Sequence, residues 1–308
     1  MDKEINQKKV LVVIAGPTAV GKTSLSIELA QHFKSPILSA DSRQLYKEMN
    51  IGTAKPSKEE MQDVPHYFIH SHSIHENYSV GKYEEEVLNT LKQLFLKHNL
   101  VFLVGGSGLY IKAVCEGLDE LPEANGAIRE ELNQAYLNFG LEELLKELKE
   151  KDPSYFEVVD KHNPQRIIRA LEVIRATQKP FSSFLSSTNK SRPFSIIKIG
   201  IEENREILYQ KIDLRMDIML DSGLLNEAKN LYPFKSHNAL RTVGYEEIFD
   251  YLEEKKSWEE TVFLLKRNSR RYAKRQLTWF RKDKAFLWFH ASSINEIIEH
   301  ISKQYQQL

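Results

Sequence analysis

One short segment decides the fold, and it reads Gly16-Pro17-Thr18-Ala19-Val20-Gly21-Lys22-Thr23. It matches the pattern G-x-x-x-x-G-K-[ST] of a phosphate-binding loop, or P-loop. An apolar, β-branched run at 9–15 precedes it and an amphipathic pattern through Phe33 follows it, so a strand enters the loop and a helix leaves it. In that context the loop N–H groups and the helix N-terminus converge on phosphate, Lys22 adds a positive charge, and Thr23 is the usual Mg²⁺ ligand. The segment therefore predicts a binding site for a di- or triphosphate.

Further strands and helices alternate outward from this loop. Apolar runs predict strands at 9–15, 35–40, 100–104, 195–201 and 285–289. The spacing of apolar residues predicts helices at 21–33, 79–98, 127–150 and 164–177, with Ser79 and Asn163 as N-caps. Because strands separated by helices form parallel sheets, we predict an α/β fold: a P-loop parallel-sheet core with a helical insertion domain and a helical C-terminal region. The core would comprise 1–117 and 193–308, and the insertion 118–192.

Composition limits the class of protein. The 308 residues are 41% apolar and 28% charged, which is typical of a globular chain, and no apolar run reaches the roughly 18 residues of a membrane helix. The polar start of the chain does not resemble a secretory signal. Cys115 is the only cysteine, which excludes an intrachain disulfide and a multi-cysteine zinc site and agrees with a reducing cytoplasm.

Two more segments follow predicted strands at the sheet edge that carries the P-loop. Asp41 comes directly after the second strand, and ligands of open α/β sheets bind beyond the carboxyl ends of strands. A carboxylate there could hold Mg²⁺ or accept a proton, although it could equally cap a turn. The third strand ends in Gly105-Gly106-Ser107-Gly108, where a ligand could approach the backbone closely, but a plain strand–helix turn has the same composition. The strand ends in Gly-Gly instead of Asp, so the acidic residue that often follows this strand in P-loop proteins is missing.

Basic residues are concentrated near the C-terminus. The chain is neutral overall, with 43 basic and 43 acidic residues, yet nine basic residues and one acid lie between Lys266 and Lys284. Arginines and lysines recur there at helical spacing, with Tyr272, Trp279 and Phe280 between them. Such a stripe suits phosphate contact and base stacking, and a solvated helix face is the alternative.

Two function classes remain open from the residues themselves. One is an enzyme that transfers a group to RNA or DNA, and the other is a nucleotide or small-molecule kinase whose helical insertion acts as a lid. A nucleotide-switched RNA-binding module is a third, non-enzymatic alternative. The arginines at 166, 169, 215 and 241 do not decide between them, because charged helix residues usually face solvent.

A succession of motifs resembles the tRNA dimethylallyltransferase family. The motifs fall in the family's order and cover most of the chain: GPTAVGKT (16–23), ADSRQLY (40–46), IGTAKP (51–56), VPHYFI (64–69), YSVGKY (78–83), LVGGSGLY (103–110), NPQRIIRALEV (163–173), LRTVGYEE (240–247) and RRYAKRQLTWFR (270–281). The resemblance implies a bacterial-type enzyme that transfers the dimethylallyl group of dimethylallyl diphosphate to N6 of adenosine 37, beside the tRNA anticodon. Diphosphate leaves with the help of Mg²⁺, and the P-loop holds this leaving group instead of ATP. We expect a cytoplasmic monomer that binds the tRNA anticodon stem-loop and no membrane.

The resemblance also implies roles for individual residues. Lys22, Asp41, Ser107 and Arg215 match catalytic positions, with Asp41 as the general base and Arg215 facing the leaving group. The diphosphate would lie on residues 16–23 and Mg²⁺ on Thr23. The residues that match tRNA-contacting positions are Asp41, Ser42, Arg43, Gln44, Ser107, Arg129, Gln165, Arg166, Ile167, Ile168, Arg169, Arg241, Thr242, Val243, Gly244, Tyr245, Lys274, Arg275, Gln276 and Arg281.

Two positions depart from the family pattern. Ser107 stands where the family usually has threonine, which keeps the hydroxyl and loses a methyl group. Tyr67 replaces the second histidine of the usual VPHH motif, which leaves that histidine's role without a counterpart.

Overall fold

A computed structural model describes residues 8–123, 125–185 and 190–308. The chain divides into two compact units. We call Met1–Glu116 with Ser191–Leu308 the sheet unit, and Gly117–Lys190 the helical unit. The helical unit thus occupies nearly the span 118–192 that the sequence assigns to an insertion.

The sheet unit is built on six parallel strands in the order β3-β2-β4-β1-β5-β6. The strands are β1 (Val10–Ala15), β2 (Ile37–Ser39), β3 (His66–Tyr67), β4 (Leu100–Gly105), β5 (Ser195–Glu202) and β6 (Leu287–His290). Every residue of β1 is buried, as expected for an apolar strand covered on both faces. The predicted α/β fold with a parallel sheet is confirmed. The two-residue β3 was not predicted, because it is too short to show a periodicity.

Helices cover the sheet and form the second unit. They are α1 (Lys22–Phe33), α2 (Lys58–Met61), α3 (Val80–Leu94), α4 (Gly108–Glu116), α5 (Gly126–Phe139), α6 (Leu141–Lys151), α7 (Pro153–Val158), α8 (Pro164–Thr177), α9 (Arg205–Asp221), α10 (Leu224–Leu231), α11 (Glu246–Leu252), α12 (Trp258–Phe280) and α13 (Ile294–Gln307). No helix in the described part of the chain is long and apolar enough to span a bilayer.

Helix α3 shows how local sequence sets these elements. The Ser79 side chain accepts a hydrogen bond from the Lys82 N–H at 3.2 Å, which confirms the predicted N-cap. Tyr83, Val87 and Leu91 recur every fourth residue and are buried. The helix ends at Leu94 and not at the predicted residue 98, because the chain has to turn into β4, which starts at Leu100.

The helical unit consists of α5 to α8 around its own apolar core. Leu132, Leu148 and Leu171 are buried in that core. The helix predicted over 127–150 is two helices, α5 and α6, because Gly140 between them adopts a positive φ of 78°, which interrupts helical geometry. Helix α8 matches its prediction, since the Asn163 side chain accepts a hydrogen bond from the Arg166 N–H and Pro164 occupies the first turn.

Candidate active site

The P-loop lies between β1 and α1, in the context that the sequence predicts. Gly21 has a φ of +99°, a conformation that favours glycine, and the helix begins at the next residue, Lys22. At Gly16 a Cβ atom would lie 2.6 Å from the carbonyl oxygen of Ile201 in β5, so only glycine lets the loop pass so close to the sheet. These two positions place the loop at the carboxyl edge of the strands with the N-terminus of α1 behind it.

A cavity of about 470 Å³ opens in front of the loop within the sheet unit. Segments that are far apart in the sequence meet in its wall. The P-loop and α1 contribute residues 18–24, the turn after β2 contributes Asp41 and Gln44, and the end of β4 contributes Gly105 and Gly106. Helices α9 and α12 complete the wall with Arg215, Tyr272 and Gln276, among other residues.

Two cations, Lys22 and Arg215, enter this cavity. The Lys22 Nζ donates to the carbonyl oxygen of Pro17 at 2.7 Å, and the Arg215 guanidinium donates to the Thr18 hydroxyl. Desolvation, reinforced by Arg215, lowers the pKa of Lys22 to about 7, although Asp41 acts in the opposite direction. Desolvation likewise lowers the pKa of Arg215. Two partly desolvated cations on one wall indicate a ligand with more than one negative charge.

Asp41 is held by its own turn. Its Oδ1 accepts hydrogen bonds from the N–H groups of Arg43 at 2.9 Å and Gln44 at 3.3 Å. Its Oδ2 accepts no hydrogen bond from the described residues, so one oxygen is available to a ligand or a proton. The carboxylate favours the charged forms of both Lys22 and Arg215. The predicted convergence of these three groups at one site is observed.

Ser107 forms hydrogen bonds with the turn that carries Asp41. Its Oγ accepts a hydrogen bond from the Ser42 N–H at 2.9 Å, and its own N–H donates to the carbonyl oxygen of Ala40 at 3.1 Å. Ser107 does not line the described cavity, whereas Tyr272 does. Burial, followed by the charge of Asp41, raises the pKa of Tyr272 to about 12. The sequence predicts Tyr272 as an aromatic residue of the basic stripe, but its place in this cavity was not predicted.

Gln44 fastens the segment that follows it. Its Nε2 donates to the carbonyl oxygens of Thr53 and Ala54, both at 3.2 Å, so its amide closes the 51–54 loop instead of projecting outward. The same loop is capped by Glu227 of α10. That carboxylate accepts hydrogen bonds from the backbone N–H groups of residues 50, 51 and 52 and from the Tyr245 hydroxyl, at 2.7 to 2.9 Å. Glu227 was not predicted, because the backbone groups that it caps are about 175 residues away in the sequence.

Helix α12 carries the predicted basic stripe on two different faces. Lys266 forms an ion pair with Asp217 of α9 at 2.6 Å, and Arg270 bonds Asp213 of the same helix at 2.6 Å. Arg271, Lys274 and Arg275 are exposed, and none of the three pairs with a carboxylate in the described ranges. We call these three residues the free basic face. Arg281, after the helix, is exposed and lies 3.0 Å from Glu202.

The helical unit buries much of its predicted tRNA-contacting segment. Ile167 and Ile168 lie in the core, which corrects the prediction that their side chains contact RNA. Arg129 and Arg169 lie 3.2 and 3.1 Å from the buried carboxylate of Glu172, so each pairs within the fold. Gln165 and Arg166 are exposed, and Gln165 accepts a hydrogen bond from Arg129 at 3.1 Å. Of residues 165–169, only Gln165 and Arg166 are therefore exposed.

The segment 241–245 also contains both exposed and buried residues. Arg241 is exposed, and its carbonyl oxygen accepts a hydrogen bond from Arg43 at 3.3 Å. Thr242 and Val243 line a small cavity of about 80 Å³ that Asp41 and Arg215 also line. Gly244 and Tyr245 are buried, which corrects the prediction of an RNA contact through the Tyr245 side chain. Gln276 is buried as well and lines the larger cavity, so its predicted RNA contact stays a prediction.

Comparison with known proteins gives one consistent result. The family model described as IPP transferase matches residues 44–283. The chain is 50% identical over 299 residues to the tRNA dimethylallyltransferase of Cytophaga hutchinsonii, covering 97% of this chain and 98% of that protein. It is 48% identical over 300 residues to the tRNA dimethylallyltransferase of Flavobacterium johnsoniae, covering 95% and 97%. Among solved structures, the tRNA isopentenylpyrophosphate transferase of Bacillus halodurans superposes with a TM-score of 0.73 at 36% identity, covering 97% of this chain and 98% of that one. A eukaryotic dimethylallyltransferase acting on tRNA superposes with a TM-score of 0.76 at 25% identity, covering 96% and 77%.

Proposed function

The chain belongs to the IPP transferase family, whose members here are tRNA dimethylallyltransferases, and from this premise we propose that it prenylates tRNA. The reaction transfers the dimethylallyl group of dimethylallyl diphosphate to N6 of adenosine 37, next to the anticodon, and releases diphosphate. The observation that carries the proposal is the meeting of Lys22, Arg215 and Asp41 at one cavity in front of the P-loop. That arrangement supplies an anion site and a base within the same space.

The P-loop side binds the diphosphate. Loop N–H groups and the N-terminus of α1 complement its charge, and Lys22 and Arg215 add two cations in a desolvated site. When the C1–O bond of the donor breaks, negative charge grows on the leaving oxygen. Cations fixed in advance stabilise that charge more than they stabilise the intact donor, and this difference accelerates the reaction.

Asp41 acts on the other reactant. As the N6–C1 bond forms, the exocyclic nitrogen gains positive charge and must lose a proton. The Oδ2 of Asp41, which has no protein donor in the described chain, is the acceptor, while its Oδ1 is fixed by the turn. Because N6 is inside the anticodon loop stack, the adenine has to leave the stack to reach this cavity.

The proposal includes Mg²⁺. Among the described residues no group of three or more His, Cys, Asp or Glu side chains could hold a metal ion by itself. This composition suits Mg²⁺, which commonly keeps several waters and binds through one or two protein oxygens together with substrate phosphate. The Thr23 hydroxyl at the start of α1, beside the cavity, would be the protein ligand. Bound there, the ion would supply further charge neutralisation for the diphosphate.

Each unit has exposed parts of the predicted RNA-binding segments. In the sheet unit these are the free basic face and Arg241, and in the helical unit Gln165 and Arg166. These groups would contact the backbone of the anticodon stem-loop, since exposed arginines and lysines neutralise phosphate. We place the reaction in the cytoplasm, with the enzyme acting as a monomer.

Nucleoside analysis tests the proposal directly. Unmodified tRNA is incubated with the protein, Mg²⁺ and dimethylallyl diphosphate, then digested and examined by mass spectrometry. We expect adenosine carrying one dimethylallyl group, and none from a Lys22→Ala control or after chelation of Mg²⁺. A parallel reaction with ATP labelled at the γ-phosphate examines the kinase alternative. Label transferred at ordinary turnover to a nucleotide or metabolite, with no prenylated adenosine, would overturn the proposal.

A further inference from the structure

Gln276 occupies a buried position on α12 between two loops of the cavity. It is 6% exposed, whereas its neighbour Arg275 faces solvent. The Gln276 Oε1 accepts a hydrogen bond from the Thr18 N–H at 2.9 Å, and its Nε2 donates to the carbonyl oxygen of Gly106 at 2.9 Å. One side-chain amide therefore joins the P-loop to the loop that follows β4.

The fit of this amide is specific at both ends. A Cβ atom on Gly106 would lie 2.2 Å from the Gln276 Nε2, so glycine at 106 is required for the contact. A glutamate at 276 would keep an acceptor for Thr18 but would turn a second acceptor towards the Gly106 carbonyl. An asparagine would be one methylene too short to reach both groups. Among these residue types, only glutamine meets the donor and acceptor requirements at this length.

The contact fixes the conformation of the diphosphate-binding loop. Thr18 is held from two sides, through its N–H by Gln276 and through its hydroxyl by Arg215. Both partners come from helices far along the chain, α12 and α9. With the Thr18 N–H engaged by protein, the remaining loop N–H groups are left to face the ligand.

We propose that Gln276 is a positioning residue for diphosphate binding, which fixes the P-loop from the interior of the helix whose outer face contacts RNA. This role rests on the proposed function. It requires that loss of the amide weaken the binding of dimethylallyl diphosphate and pyrophosphate, while the exposed RNA-binding segments stay intact.

Two substitutions at 276 and one at 106 test the role. Gln276→Met keeps the length and removes both hydrogen bonds, whereas Gln276→Glu keeps the acceptor but adds a negative charge to the cavity wall, which by itself opposes anion binding. Gly106→Ala displaces the amide without altering Gln276. We expect Gln276→Met and Gly106→Ala to raise the Kd for pyrophosphate and the KM for dimethylallyl diphosphate about tenfold, which is within the range for the loss of one or two buried hydrogen bonds. The Kd for tRNA should change less than about twofold. Gln306→Met, on the exposed surface of α13, is the matched control and should leave all three constants unaltered.

A double mutant separates positioning from general destabilisation. In a Gln276→Ser background the shortened side chain leaves room for a Cβ atom at 106, so adding Gly106→Ala should cost far less than it does in the wild type. A purely structural role predicts lower thermal stability of the single variants with unchanged pyrophosphate affinity. All binding is measured by calorimetry below the thermal transition of each variant, and Gly106→Ala provides the comparison if Gln276→Met does not fold.

Failure of the positioning role can be distinguished from failure of the proposed function. Unchanged pyrophosphate affinity in folded Gln276→Met or Gly106→Ala protein would overturn the positioning role, even if the wild type prenylates tRNA. Weakened pyrophosphate binding in these variants, with no prenylated adenosine from the wild type, would retain the positioning role and reject the transfer reaction.

Discussion

A lysine that loses half its charge near neutral pH is an unusual phosphate ligand. Burial and Arg215 bring the pKa of Lys22 to about 7 in the free site. A bound diphosphate favours the protonated form, so binding raises this pKa and takes up a proton above pH 7. The ligand-free enzyme therefore provides the full charge of Lys22 only below that pH.

The pH dependence of pyrophosphate binding follows from this shift. Below about pH 7 the lysine is protonated with or without ligand, and its contribution to affinity is constant. Above pH 7 the free enzyme must bind a proton before it binds the anion, so affinity falls by up to about tenfold per pH unit until the pKa of the complex is reached. Titration calorimetry from pH 6 to pH 9 measures the effect.

Lys22→Arg is the matched control for that titration. Arginine stays charged across this range, so the variant lacks the proton uptake, while the titration of pyrophosphate itself affects both proteins equally. The ratio of the two affinities isolates Lys22. A ratio that is flat from pH 6 to pH 9 would contradict the lowered pKa.

Asp41→Asn tests the proposed base. Asparagine keeps an Oδ1 acceptor for the N–H groups of Arg43 and Gln44, so the turn is preserved, but its amide cannot take up a proton at neutral pH. We expect single-turnover transfer to slow by roughly 10²–10⁴-fold, the usual contribution of a positioned base, with little change in tRNA affinity. Quenched-flow assays with saturating donor give the rate. Wild-type transfer rates in this variant would remove Asp41 from the mechanism.

At the level of elements, the basic residues of α12 fall into two groups, one that forms ion pairs with α9 and one that is available to RNA. Lys266 and Arg270, four residues apart, face Asp217 and Asp213, which are also four residues apart on α9. The ladder joins the two helices. The free basic face turns away from it, and only those side chains are available to RNA.

Substitution of the free basic face should weaken RNA binding alone. Changing Arg271, Lys274 and Arg275 together to glutamine should lower tRNA affinity and flatten its salt dependence by up to about one log–log unit per lost phosphate contact. Pyrophosphate affinity should be unchanged, because Lys22 and Arg215 remain. Filter binding across a series of salt concentrations gives the slope, and an unchanged slope would contradict the assignment of this face to RNA.

Lys266 and Arg270, which form ion pairs with α9, should not contribute to RNA binding. Lys266→Gln with Arg270→Gln removes two cations from the same helix but leaves the free basic face. We expect the salt slope for tRNA to be unaltered and the thermal transition to fall by a few degrees, about 2–4 °C per kcal/mol lost in a protein of this size. If both sets of variants changed the salt dependence of tRNA binding equally, the two faces of α12 would contribute equally to phosphate contact, and the assignment of the free basic face alone to RNA would be wrong.

The sequence predicts the stripe on α12 but not its division, and the reason is physical. Helical spacing shows which residues of one helix share a face, whereas the partner of that face is set by packing against α9, about 50 residues away. The hydrogen bonds of Glu227 and Gln276 were not predicted for the same reason, since they join segments that are far apart in the sequence. The P-loop, Asp41 and the parallel sheet around them were accessible, because their placement depends on local turns and on the common edge of a parallel sheet.

At the scale of the whole molecule, the insertion was predictable from the long helical stretch between two strands. Its interior was not. Glu172 has the pattern of a surface charge, yet it is 1% exposed and holds Arg129, Arg169 and the Asn125 N–H around one carboxylate. Burying a carboxylate requires such compensation, because an unpaired charge in a core costs several kcal/mol. The two arginines thus contribute to the fold of the helical unit, which the motif alone does not reveal.

Each unit has its own hydrophobic core, and this leads to a prediction for the molecule as a whole. The described core residues of the helical unit lie within 117–190, and those of the sheet unit lie outside that range. The ends of the insertion are adjacent, since a Cβ atom on Gly117 would lie 2.9 Å from the Lys190 Cβ. Removing 118–189 and joining the ends with two glycines should therefore leave the sheet unit folded.

The shortened protein should retain one substrate and lose the other. Pyrophosphate binding depends on the P-loop, Lys22 and Arg215, all of which remain, so its Kd should stay within about threefold of the wild-type value, or 0.7 kcal/mol. Binding of tRNA should weaken at least tenfold, because Gln165 and Arg166 are removed. Calorimetry and filter binding on the same preparation measure the two affinities, with circular dichroism to verify folding. A folded protein that no longer binds pyrophosphate would show that the anion site depends on the helical unit, because every residue assigned to that site would still be present.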